Sequence, residues 1–125
     1  MKRWIGRWLI CISLFHTVVA GLIFGKDLVA VARQGEFHTI GKDPTAGAAI
    51  WFFLFGALLF LCGLAIDALE QTSPHPLPKA IGWSLLALGL MGVMIMPLSG
   101  FWLAFPPAIA IIAARSGTRG ARNHI

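Results

Sequence analysis

The chain has 125 residues, of which 58% are hydrophobic and only 12% charged, with a formal net charge of +5. A soluble domain of this size has too little interior to hide so much apolar surface, and a chain of one domain's length leaves no room for a soluble domain beside several membrane spans. Composition therefore excludes an ordinary globular enzyme and points to an all-α membrane protein.

Three windows contain no Asp, Glu, Lys or Arg: Trp8 to Gly25 (18 residues), Pro44 to Ile66 (23) and Ala80 to Ala114 (35). A hydrocarbon core about 30 Å thick needs about 20 helical residues, so the first two windows read as single spans. As one helix, at ~1.5 Å per residue, the third would reach roughly 50 Å. It should fold back at Pro97-Leu98-Ser99-Gly100, where proline withholds a backbone donor and glycine tolerates a tight turn. The expected architecture is a four-helix transmembrane bundle, with spans near residues 4–25, 46–68, 79–96 and 99–114.

Taken in order, Met1-Lys2-Arg3 before an apolar run also fits a signal peptide, with Val18-Val19-Ala20 as a weak cleavage site. The run continues through Phe24 without the polar break of such a peptide, so a retained first helix is expected. Trp4 and Trp8 would sit at the membrane boundary. Between Lys26 and Asp43, Leu28, Val31 and Ala32 recur at helical spacing, which predicts a short amphipathic outer segment over about 27–42. Asp43-Pro44-Thr45 reads as the start of the second helix. That helix should run to about Leu69, and the proline-punctuated stretch Gln71 to Pro78 reads as a connector.

Small residues recur seven apart at Ala49, Gly56 and Gly63 in the second helix and at Gly82 and Gly89 in the third. Helices associate in lipid where small residues let backbones approach. If these two helices are antiparallel neighbours, Gly63 with Gly82, Gly56 with Gly89 and Ala49 with Met96 share one register. Gly92 and Ser84 would widen that contact or leave room for a ligand. In the fourth helix, Pro106-Pro107 should free backbone carbonyls and bend it.

Four spans with cytoplasmic termini put Lys2, Arg3, Arg7, Lys79, Arg115, Arg119 and Arg122 inside and only Lys26, Arg33 and Lys42 outside, as the positive-inside bias requires. The net charge is thereby a matter of topology and of anchoring to anionic headgroups in the lipid bilayer. The basic tail lacks interleaved aromatics, which argues against nucleic acid as a partner.

Among residues that could carry chemistry, His16 is the clearly ionisable one at membrane depth. Left charged and unpaired there it would cost several kcal/mol, so it should be neutral, point inward and share a hydrogen bond. Ser13 and Thr17 are its neighbours on the helix. A backbone carbonyl or serine hydroxyl would make it structural; a small polar contact would make it a ligand anchor. Asp67 and Glu70 oppose the helix dipole at the end of the second helix. Arg7 or Lys79 could pair with them, and Asp67, which abuts the apolar run, is the candidate proton-entry carboxylate. Cys11 and Cys62 lie at similar depth without a CxxC pattern, so buried, unbridged small residues are expected. Trp51 and Trp102, with Ser99, fall toward the outer boundary, as an aromatic belt or as the mouth of a ligand site. No metal cluster and no cofactor motif is present, and no nucleophile stands beside a base.

The sequence resembles a family of small bacterial inner-membrane proteins with four helices and no assigned function. The residues that carry the resemblance are Arg3-Trp4-Ile5-Gly6-Arg7-Trp8 with His16, Phe37-His38-Thr39-Ile40, Ala48-Ala49-Ile50-Trp51-Phe52-Phe53, Leu77-Pro78, Gly82-Trp83 and Met96-Pro97-Leu98-Ser99-Gly100-Phe101-Trp102. The resemblance implies a multi-pass location in the bacterial inner (plasma) membrane and carries no activity. Small multidrug exporters are also four-helix proteins of about this size, but they rely on a carboxylate in the first helix. No Asp or Glu lies between Met1 and Lys26 here.

These readings converge on a non-enzymatic inner-membrane protein that binds a small hydrophobic ligand or a partner membrane protein, with homo-oligomers possible. His16 is the candidate anchor, with Trp51, Ser99 and Trp102 lining the outer end. The alternative is a small oligomeric proton-coupled transporter subunit in which His16 or Asp67 takes up protons.

Overall fold

A computed structural model of the chain describes residues 3–34 and 43–115. Among the described residues all regular structure is helical, with four α-helices: α1 (Ile5–Gln34), α2 (Pro44–Thr72), α3 (Lys79–Ile95) and α4 (Phe105–Ala113), the last preceded by a 3-10 helix over Gly100–Ala104. Contacts divide the chain into two units, Met1–Asp67 and Ala68–Ile125.

The first helix is longer than its apolar run. It continues without a break through Lys26 and Asp27 to Gln34, so the part of the expected outer segment up to Gln34 is the end of α1 itself. The remainder, including Phe37 to Ile40, lies outside the described residues. No proline or helix-ending glycine interrupts residues 26–34, and Arg33 in the last turn suits the negative end of the helix dipole. Asp43 then opens α2: its carboxylate accepts from the Thr45 N–H at 2.9 Å, and Pro44, which has no N–H to satisfy, follows it.

Within the first unit α1 and α2 run antiparallel along a seam of small residues. Gly6 lies against the backbone of Asp67, Ile10 against Gly63, and Thr17 against Gly56. Each step up α1 is matched by an equal step down α2, so one register accounts for all three contacts. A Cβ on Gly63 would come 2.8 Å from Ile10 Cγ1, and one on Gly56 2.9 Å from Thr17 Oγ1. Ala20 and Ala49 are fully buried, and Leu9 and Ser13 nearly so.

The second unit repeats the device with other partners. A Cβ on Gly82 would meet Ile111 Cγ2 and Ile112 Cγ1, both at 2.9 Å; one on Gly89 would touch Ala104 Cβ at 3.4 Å; Gly92 is covered by the Phe101 ring. The chain reverses at Pro97–Ser99, between α3 and the 3-10 helix.

Three expectations are corrected by this packing. The glycines of the second and third helices do not form one seam with each other: those of α2 are filled by side chains of α1, and those of α3 by residues of α4 and the 3-10 helix. Seven-residue spacing defines a face of a helix without naming its neighbour. Nor do Pro106 and Pro107 kink the fourth helix. They stand in its first turn, where a missing N–H breaks no intrahelical bond, and the residues before them form the 3-10 helix. The space considered beside Gly92 is occupied by Phe101.

Candidate functional site

His16 is a half-buried polar side chain held between α1 and α2. It lies on the α1 face that carries Ile5, Leu9, Ser13 and Ala20, all buried, and its ring reaches across to α2. Nε2 is 2.9 Å from the carbonyl oxygen of Phe52. A carbonyl oxygen only accepts, so Nε2 carries the proton in this bond. The sequence explains why that carbonyl can be reached. A helical side chain covers the turn before its own Cα, so the residue four positions after Phe52 would shield the Phe52 carbonyl. That residue is Gly56, whose absent Cβ would stand 3.0 Å from His16 Cδ2.

Aromatic rings close around the imidazole. The Phe52 ring stacks on it with centroids 4.0 Å apart and planes 20° apart, and Phe55 is tilted against it at 5.4 Å. Phe24 in turn lies 5.4 Å from Phe52. The neighbouring hydroxyls are engaged elsewhere: Ser13 donates to the Ile10 carbonyl at 2.7 Å and Thr17 to the Ser13 carbonyl at 2.9 Å. Back-bonding of this kind hides a hydroxyl within its own helix.

At the other end of the pair, Asp67 Oδ1 is 3.8 Å from Arg7 Nε. Gly6 makes the approach possible, since any Cβ there would collide with the Asp67 backbone. Arg7 is 72% exposed and the Asp67 side chain 19%, so the pair is open to screening on its arginine side. Asp67 is level with Gly6, about 15 Å along the helix from His16 at ~1.5 Å per residue. The two proposed proton-linked groups therefore occupy separate places.

Trp51, Ser99 and Trp102 each have their own surroundings within their own unit. Trp51 is 73% exposed, although its neighbour Phe52 faces inward. Ser99 caps the 3-10 helix by accepting from the Phe101 N–H at 3.5 Å. The Trp102 indole donates to the Pro97 carbonyl at 2.8 Å and rests on Phe105. Ser99 and Trp102 thus close the turn between α3 and the 3-10 helix. Cys11 and Cys62 are free, and both are exposed rather than buried as expected. Among the described residues no three His, Cys, Asp or Glu side chains come together as a metal site.

Sequence reasoning missed the Phe52 carbonyl, because a backbone acceptor leaves no signature in residue type. It also passed over Gly6, whose presence between Ile5 and Arg7 was the available signal.

Among the described residues the chain is thus all-helical, with α1 and α2 long and apolar enough to cross a membrane. It belongs to a family of unknown function, DUF6463, which it matches over residues 1–118. No curated protein and no solved structure matches it.

Proposed function

We propose that this is a multi-pass integral protein of a bacterial inner membrane that acts without covalent chemistry, by associating with a partner membrane protein or a second copy of itself. The observation that supports this reading is the inverted arrangement of α1 and α2. Small residues line the seam between them, and many of their large apolar side chains face outward: Leu22 is 81% exposed, Ile23 64%, Trp51 73% and Leu61 61%. Exposing each such side chain to water forgoes about 1.5–3 kcal/mol. In lipid the same arrangement is favourable, because apolar side chains gain little by leaving the tails and close backbone contact supplies the packing. Only 17% and 22% of the most apolar windows of α1 and α2 are buried, which argues against their being core helices of a soluble domain.

On this reading both termini are cytoplasmic, and Asp67, Glu70, Lys26 and Arg33 lie beyond the hydrocarbon. A partner is favoured over a small ligand because the imidazole of His16 already has a stacked ring and a carbonyl against it. The separation of His16 from Asp67 weighs against a proton-coupled carrier.

The test is native mass spectrometry of the chain purified in mild detergent from its own membranes, together with a His16→Leu variant. A second protein or a second copy retained in both supports the proposal. An empty monomer in both overturns it. A small molecule retained by the wild type and lost from the variant would replace it with the ligand-binding reading.

A further inference from the structure

The last turns of α1 carry a feature that the packing of the helix pair does not use. A hollow there is lined by Gly25, Lys26, Val29, Ala30 and Arg33. Lys26, Val29, Ala30 and Arg33 follow the i, i+3, i+4, i+7 pattern of a single helix face. Two cations are therefore set two turns apart, about 10 Å at ~1.5 Å per residue, with an apolar floor between them. Lysine and arginine side chains extend far enough for both heads to reach an anion placed over that floor. Val29 is 51% exposed, and a Cβ on Gly25 would meet nothing within 4 Å, so the floor is open. Neither Lys26 nor Arg33 has an ion-pair partner among the described residues.

Position on the helix adds to charge. The uncharged run of α1 ends at Gly25, so on the proposed membrane reading this face begins where hydrocarbon gives way to headgroups. An arginine offers a planar fork to phosphate oxygens and a lysine a compact point charge. We propose that this face of α1 is a binding site for the phosphate of an anionic phospholipid, held between Lys26 and Arg33 over Val29 and Ala30, with the acyl chains running back along α1 toward the uncharged run that ends at Gly25. The inference rests on the membrane reading and goes beyond it by placing one lipid on named residues.

The experiment uses the full chain in mild detergent, delipidated and titrated separately with phosphatidylglycerol, phosphatidylcholine and inorganic phosphate, with bound species counted by native mass spectrometry. The wild type should retain phosphatidylglycerol over phosphatidylcholine. At about five-fold per cation near an anionic surface, the double variant K26Q/R33Q should lose roughly thirty-fold of that preference. K26R/R33K should keep it, as should the charge-matched control K79Q/R115Q. Circular dichroism of all variants should be unchanged, since the substituted side chains are exposed.

Equal retention of the two lipids, or a preference that survives K26Q/R33Q, overturns the site. Displacement of phosphatidylglycerol by millimolar phosphate overturns the lipid as its occupant and leaves a free phosphate in its place. Release of the protein from membranes by alkaline carbonate would sink the membrane reading instead, and is scored before the titration.

Discussion

The two helix pairs use glycine at the same spacing but fill it differently. In the α1–α2 pair the notches of α2 receive a mixed set, Ile10 at Gly63 and Thr17 with His16 at Gly56, and a side chain reaches a backbone carbonyl across the seam. In the second unit the notches of α3 receive only apolar groups, Ile111 and Ile112 at Gly82, Phe105 and Ala104 at Gly89, and Phe101 at Gly92. The polar bonds of Ser99 and Trp102 stay within the turn beside it. Two long helices in contact over many turns can slide along each other, and a directional bond at mid-length opposes that. Two short helices joined by the turn at Pro97–Ser99 are already held in register by the chain, so shape alone is enough.

The comparison can be broken most sharply at Gly6. Gly6→Ala places a Cβ inside the Asp67 backbone, which cannot swing aside, and should cost about 3 kcal/mol or more, at the upper end of overpacking. Loss of helicity in a detergent-unfolding titration measures it; a change below about 1 kcal/mol would show that the α1–α2 approach is looser than described.

Gly92→Ala should be next, at about 2 kcal/mol, because the obstacle is the Phe101 ring, a side chain that can turn. The double change Gly92→Ala with Phe101→Ala should recover part of that loss in the same titration. If it recovers none, the ring is not what fills the notch.

His16→Leu removes the bond to the Phe52 carbonyl and should cost about 1 kcal/mol, the range measured for interhelical hydrogen bonds in membranes. The loss should shrink in a Gly56→Ala background, where the carbonyl is already shielded, so a double-mutant cycle reads the coupling directly. Additive losses would mean that Gly56 does not open the way to His16.

The smallest effect carries the opposite sign. At Gly89 an added Cβ makes ordinary contacts of 3.4 to 3.6 Å, so Gly89→Ala should be neutral or stabilising by up to about 1 kcal/mol through helix propensity. An unfolding midpoint clearly below wild type would contradict the spacing at this notch.

Much of the local structure was legible. The starts of α2 and α3 at Asp43-Pro44 and Pro78-Lys79, and the reversal at Pro97–Ser99, were read from proline, glycine and capping residues, whose backbone preferences act over one or two positions. The continuation of α1 past Lys26 was not legible, because a charged residue marks the end of an apolar run and says nothing about the end of a helix. The candidate site was legible only in part. His16 was singled out by its depth, whereas Phe24, Phe52 and Phe55 looked like ordinary members of apolar runs until the register brought them together.

By itself the sequence determined where α2 and α3 begin and where the chain reverses, because proline, glycine and capping residues act locally, and it placed small residues on one face of a helix, because a spacing of seven aligns along the helix axis. Tertiary structure alone decided which faces meet. Any two helices with that spacing can be set in an antiparallel register on paper, and the choice falls to the side chains that fit the notches: Ile10, Thr17 and His16 against α2, and Ile111 and Phe101 against α3. The destination of the His16 proton belongs to the same category, since its acceptor is a backbone carbonyl exposed only once Gly56 and α1 are brought together.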